Sequence, residues 1–125
     1  MARCTQITPF IPVADMERAI RFYENCLGFG GTHRMEDNYA FLRRDDVAIR
    51  LLKADCDVDL TAPEREIMIY IDVEDVDGLY ATLERELNDL PKGRVRAPFD
   101  QPYNQREFHV TDEDCTLILF GEGTK

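Results

Sequence analysis

Apolar residues along this chain recur with two different periods, and the change from one to the other marks its elements. Met16, Ala19, Ile20, Tyr23 and Leu27 fall on one side of a 3.6-residue repeat, with Glu17, Arg18, Arg21 and Glu24 on the other, which predicts a helix over 16–27. Asp15 stands at the N-cap, where its carboxylate accepts a first-turn N–H, and Gly28 can take the left-handed conformation that stops the helix. The pattern returns over residues 67–87. Ile67, Ile69, Ile71 and Val73 alternate with Met68, Tyr70 and Asp72 as a strand, Asp75 caps a second helix, and Val76, Leu79, Tyr80, Leu83 and Leu87 form its apolar stripe. The isoleucine side is expected to pack on helices, which turns Tyr70 to the opposite side. Asp15 and Asp75 are therefore equivalent positions in a duplicated unit.

Residues 5–13 read as the first strand, in which Pro9 and Pro12 each remove a ladder donor and point to an edge or a crossing arm. Segments 39–42 and 47–52 predict a hairpin, and 106–110 with 115–120 predict another. Short strands in 31–36 and near Val95 complete each unit as β-α-β-β-β, while 98–104 read as a loop and 121–125 as a frayed tail. Polar, breaker-rich residues around Asp55, Asp57, Asp59, Thr61 and Pro63 form a linker. They divide the chain into module one (about 5–53), a linker (about 54–65) and module two (about 66–121). One such unit cannot bury both faces of its sheet. The expected fold is α+β: two paired β-α-β-β-β modules forming a concave mixed sheet with helices outside and the function inside the cup.

The length, 125 residues, fits one domain. Cys4, Cys26, Cys56 and Cys115 show no metal-site or disulfide spacing and no signal peptide precedes them, so they are expected as free thiols in a reducing cytoplasm. No apolar run approaches the roughly twenty residues that span a bilayer, and no membrane partner is expected. A formal net charge of −10 repels polyanions, which argues against nucleic acid and would favour a cationic small molecule. Catalytic signatures are thin. The chain has no Gly-x-Ser-x-Gly elbow and no phosphate-cradling glycine loop, and its only histidines are His33, in a polar loop, and His109, read as a hydrogen-bonded structural residue. Glu36, Asp37, Asp45 and Asp46 read as solvated hairpin tips.

Residues 12–23, with Asp15, Phe22 and Tyr23, the triplet Leu27, Gly28 and Phe29, and residues 106–114 resemble the vicinal oxygen chelate superfamily, the glyoxalase, bleomycin-resistance and dioxygenase group. The resemblance covers nearly the whole chain and implies its duplicated fold. In the metalloenzymes of that group, ligands come from the first and last strand of each module. Here those positions fall on Thr8, Arg50, Met68 and Leu119, and none is a usual ligand. An arginine about 4 Å from a divalent ion would repel it by about 8 kcal/mol at an effective dielectric of about 20. The resemblance therefore implies the metal-free, bleomycin-resistance type, a cytoplasmic homodimer of the antibiotic-resistance kind with no cofactor and no catalytic residue. Its partners would be a second copy of itself and a small aromatic ligand or antibiotic, whose being cationic the acidic charge would favour.

The expected ligand-binding set is Tyr39, Phe41, Arg50, Met68, Tyr70, Tyr103, Phe108 and Leu119, together with Phe10. Flat ligands bind such aromatic walls by stacking and desolvation. The alternatives are a glyoxalase-, lyase- or dioxygenase-type enzyme with a shifted metal site, and a regulatory module with an unused cup. Two departures stand out: the last hairpin turn, Asp112-Glu113-Asp114-Cys115, lacks the family's glycine, which predicts strain at Cys115, and the chain has no Trp.

Overall fold

The two amphipathic stretches fold as helices, and each is flanked by four strands. The structure is a computed structural model describing residues 2–124. Module one comprises β1 (Phe10–Val13), α1 (Met16–Asn25), β2 (Gly30–Met35), β3 (Tyr39–Arg44) and β4 (Val47–Lys53). Module two comprises β5 (Ile67–Asp72), α2 (Val76–Leu87), β6 (Val95–Gln101), β7 (Gln105–Thr111) and β8 (Thr116–Gly123). The class is α+β. Two four-stranded mixed sheets run in the order β1-β4-β3-β2 and β5-β8-β7-β6. The parallel pairs are equivalent, with Phe10 opposite Arg50 in the first sheet and Tyr70 opposite Leu119 in the second.

Both helix starts carry the expected caps: the Asp15 carboxylate accepts from the Arg18 N–H at 3.1 Å, and Asp75 from the Gly78 N–H at 3.1 Å. α1 stops where Gly28 turns to φ +75°, and a β-carbon there would lie 1.9 Å from the Arg44 guanidinium. That guanidinium donates to the Leu27 and Gly28 carbonyls at 3.2 Å each, so it serves the end of the helix.

One core joins the modules. Ile11, Leu42, Ile49 and Leu51 of the first sheet and Phe108, Val110, Ile118 and Phe120 of the second pack with the apolar faces of α1 and α2 in one buried cluster. Phe108 stacks on Phe120 at 4.8 Å between ring centres and meets the edge of Tyr80 at 5.1 Å. The β7–β8 turn docks on α1. Asp112 accepts from the Tyr23 hydroxyl at 2.7 Å, and Asp114 accepts from the Ala14 N–H at 3.2 Å and from Arg18 at 3.1 Å. Cys115 sits in that turn at φ 68°, a left-handed conformation that a glycine would adopt without strain.

Several boundaries differ from the sequence expectation. β1 is only Phe10–Val13, because Pro9 at its start lacks the donor a longer ladder needs; the Pro9 carbonyl still accepts from the Arg50 N–H at 3.0 Å, and Pro12 lies within the strand. β6 runs through Pro98 and includes residues expected as a loop, since a bulge between Arg96 and Phe99 relieves that position of its ladder bond. The expected frayed tail is strand to Gly123, anchored where Glu122 accepts the Val76 N–H at 2.7 Å; Lys125 lies outside the described residues. No hydrogen-bonded edge joins the two sheets, so the face of each sheet opposite the core stays separately open. Cys4, Cys26, Cys56 and Cys115 are unpaired, and among the described residues no helix is long and apolar enough to cross a membrane.

Candidate functional site: the open sheet faces

Strand alternation places Ile11, Leu42, Ile49 and Leu51 against the helices, and so turns Phe10, Tyr39, Phe41 and Arg50 to the open face of the first sheet. The Arg50 guanidinium lies 5.9 Å from the Phe10 ring centre and 5.4 Å from Phe41, within cation–π range of both. Arg43 approaches Phe41 at 5.8 Å from the other side. Arg50 Nε is buried without a hydrogen-bond partner among the described residues, a donor that an acceptor on a bound molecule would satisfy.

The second sheet turns Met68, Tyr70, Phe99, Gln101, Glu107, His109 and Leu119 to its open face. Its centre is Glu107, whose side chain is entirely shielded from solvent. The carboxylate accepts from the Tyr103 hydroxyl at 2.7 Å and from Gln101 at 3.1 Å, and it pairs with His109 Nε2 at 2.8 Å. Burial alone would push this carboxyl up, but hydrogen bonds from His109, Tyr103 and Gln101 outweigh it and hold the group at about 2. Glu107 is thus ionised at neutral pH and fixes the rings around it. Tyr70 is held well above the usual phenol range, by burial first and then by Glu107, and its hydroxyl donates to Gln105 at 2.9 Å. Phe99 packs edge-on to His109 at 5.1 Å, and its face carries the Arg96 guanidinium at 3.5 Å.

Tyr70 lies across Gly121, where a β-carbon would come 1.9 Å from its hydroxyl and 3.1 Å from Glu107 Cγ. Gly121→Ala is therefore expected to displace both groups, lowering stability by about 1–3 kcal/mol as an overpacked site does, and thermal melting measures it.

Tyr39, Phe41 and Arg50 of the expected set stand together on the first face, and Met68, Tyr70, Tyr103 and Leu119 on the second. Phe108 does not join them. It shares the parity of Val110 on β7, so it is fully buried in the helix-packed core and faces away from both open surfaces. Phe99, Gln101 and Glu107 were not in the set, although the polar i, i+2 pair Glu107 and His109 in an otherwise apolar strand signalled the open side of β7. Of the family's ligand positions, Arg50 and Leu119 pair with Phe10 and Tyr70 in their ladders, Met68 is exposed two residues before Tyr70 on β5, and Thr8 precedes β1.

Fold and faces define a class: small α+β proteins of duplicated β-α-β-β-β modules, with one face of each sheet turned away from a shared core. The model of the Glyoxalase/Bleomycin resistance protein/Dioxygenase superfamily matches residues 3–120, and the chain belongs to that superfamily. The bleomycin resistance protein of Geobacillus stearothermophilus is 33% identical over 135 residues, covering 96% of this chain and 98% of the relative. The same protein from Staphylococcus aureus matches equally. Among solved structures, a bleomycin-binding protein complexed with bleomycin superposes with TM-score 0.80 at 23% identity, over 96% of this chain and 99% of that one. The bleomycin-binding protein of Streptomyces verticillus, complexed with copper(II)-bleomycin, does so with TM-score 0.79 at 21% identity, over 98% and 99% of the two chains.

Proposed function

We propose that this protein is a bleomycin-type binding protein of the antibiotic-resistance kind, which sequesters a flat aromatic, cation-bearing ligand without metal or catalysis. The observation that carries the reading is the replacement of metal-ligand residue types by Arg50, Met68 and Leu119 on faces lined with Phe10, Tyr39, Phe41, Tyr70 and Tyr103. The resistance proteins related to it across nearly the full chain support the same reading. Binding alone inactivates a drug by mass action when protein exceeds drug. A cytosolic setting fits this role.

The two faces belong to separate sheets backed by one shared core, so neither encloses a ligand by itself. We assign the working form as a homodimer, in which a second copy brings the first sheet of one chain to the second sheet of the other. Light scattering at high micromolar protein is expected to give the dimer mass; a monomer mass there counts against the arrangement.

Calorimetry with metal-free bleomycin tests the site. Tyr39→Ala and Tyr70→Ala are each expected to weaken binding by about 1–3 kcal/mol, the scale of a lost stacked ring, while Asp57→Ala in the linker changes it little. Unchanged affinity in both tyrosine variants, with normal melting, would place the site elsewhere. The rival, a glyoxalase-, lyase- or dioxygenase-type enzyme with a shifted metal site, would have to draw on Glu107 and His109, whose facing atoms are bonded to each other. Near-stoichiometric zinc, nickel, iron or manganese in gently purified protein, lost to chelator together with an activity, would establish that rival.

A further inference from the structure

The two modules close their helix-end corners differently. Over α1, the β7–β8 connection leaves five residues between the paired Thr111 and Leu117, and this long turn fills the corner through Asp112 and Asp114. The β3–β4 connection leaves only Asp45 and Asp46 between the paired Arg44 and Val47. The shorter turn cannot reach over α2, and the corner remains a pocket of about 420 Å³ with an apolar floor that includes Phe29, Ile71, Leu79 and Phe120. Its size is within the range of small-molecule sites, about 300–1,000 Å³.

Which ligand the pocket suits follows from how its polar groups are already used. A helix start ordinarily offers N–H donors to an anion. Here the Val76 N–H is taken by Glu122 at 2.7 Å, and the Gly78 N–H by Asp75 at 3.1 Å. Arg44, the one basic residue in the lining, spends its guanidinium on the Leu27 and Gly28 carbonyls and stands 3.7 Å from Asp45. What remains unspent is negative: Asp46, Asp72 and Glu74 line the pocket and have no ion-pair or side-chain hydrogen-bond partner among the described residues. An acidic rim over an apolar floor is complementary to an ammonium group on a compact hydrocarbon body, and the net charge of −10 raises the local concentration of such cations.

We propose that this pocket is a second ligand site, distinct from the aromatic sheet faces, that takes a small organic cation consisting of a primary ammonium on a single aromatic or alicyclic ring. It does not depend on the drug-binding role of those faces. A neighbouring cavity of about 260 Å³ shares Asp46, Val47, Ile71 and Asp72 with it and extends past Tyr70, so an occupant of one is positioned to influence the other.

Amide chemical-shift titration of the full chain tests the assignment, with benzylamine as the probe, benzyl alcohol as its neutral isostere and benzoate as the anion. The expected result is saturable, millimolar-range binding of benzylamine with shifts centred on Val47, Val73, Gly78 and Leu79, and at least tenfold weaker response to the other two probes. The double variant Asp46→Asn/Glu74→Gln removes two exposed carboxylates that hold no partner in the fold, and it is expected to weaken benzylamine at least tenfold. Asp57→Asn together with Asp55→Asn changes net charge equally in the linker and is expected to leave it unaltered. Equal response to benzyl alcohol, equal weakening in the linker variant, shifts centred on Tyr39 or Tyr103 instead, or no saturable binding of benzylamine overturns the proposal.

Discussion

Replacing Asp112 with alanine is expected to destabilise the protein by about 3–5 kcal/mol, because one buried carboxylate there serves three donors at once. It accepts from the Tyr23 hydroxyl at 2.7 Å and from the Asp114 and Thr116 N–H groups at 2.9 Å each. Each buried donor left without an acceptor costs about 1–3 kcal/mol, and none of the three can turn to water without opening the turn. The bond to Tyr23 also spans the modules, so the loss falls on their docking as well as on the hairpin. Burial pushes the Asp112 carboxyl up, with those hydrogen bonds opposing, and burial together with the facing Asp112 pushes the Tyr23 phenol well above its usual range. Tyr23 therefore remains a donor across the whole accessible pH range.

Tyr23→Phe removes one of the three bonds and is expected to cost about 1–2 kcal/mol. Urea denaturation of both variants and of the double variant measures the coupling. A loss under about 1 kcal/mol in Asp112→Ala would show that the modules hold together without this clamp.

This clamp also shows what the sequence could and could not disclose. The helix caps, the core-facing side of Ile69 and Ile71 on β5 and the outward turn of Tyr70 follow from local periodicity. Phe108 illustrates the cost of setting that rule aside: its parity with Val110 assigns it to the core, whereas its aromatic character suggested the cup. The second half of β6 and the end of β8 were not legible, because their side chains are polar and their strand geometry is imposed by β7 from across the sheet. The Glu107 network has the same origin. Gln101, Tyr103, Glu107 and His109 are near in sequence, yet their convergence depends on the β6–β7 register and on Tyr70 arriving from β5. A hairpin's length is plain in sequence, but the empty corner beside α2 becomes visible only once the longer turn is seen filling the equivalent corner beside α1.

Acid is expected to loosen the second sheet face through Glu107 before it unfolds the rest. The Glu107 carboxyl is held at about 2 in the folded protein, below its ordinary 4.5, so the folded state favours the ionised form. The stabilisation is fully present above pH 4.5 and is lost as the pH falls through about 2, where the carboxyl protonates in the folded protein as well. The difference between the two values corresponds to about 3 kcal/mol. Asp112 works with the opposite sign, since its carboxyl is held up by burial, and it offsets part of the loss on acidification. The Glu107 contribution is therefore read as a difference: Glu107→Gln keeps the shape of the side chain and removes its titration.

At pH 7 the variant is expected to be less stable by about 1–3 kcal/mol, because an amide offers one acceptor oxygen where the carboxylate offers two to Tyr103, Gln101 and His109. Between pH 4.5 and 2 the stability curves of the two proteins should converge, and tyrosine fluorescence should report the release of Tyr103 in the wild type only as the pH falls to about 2, where the folded carboxyl itself protonates. Curves that stay parallel through that range would mean that Glu107 is not the group whose ionisation holds this face together.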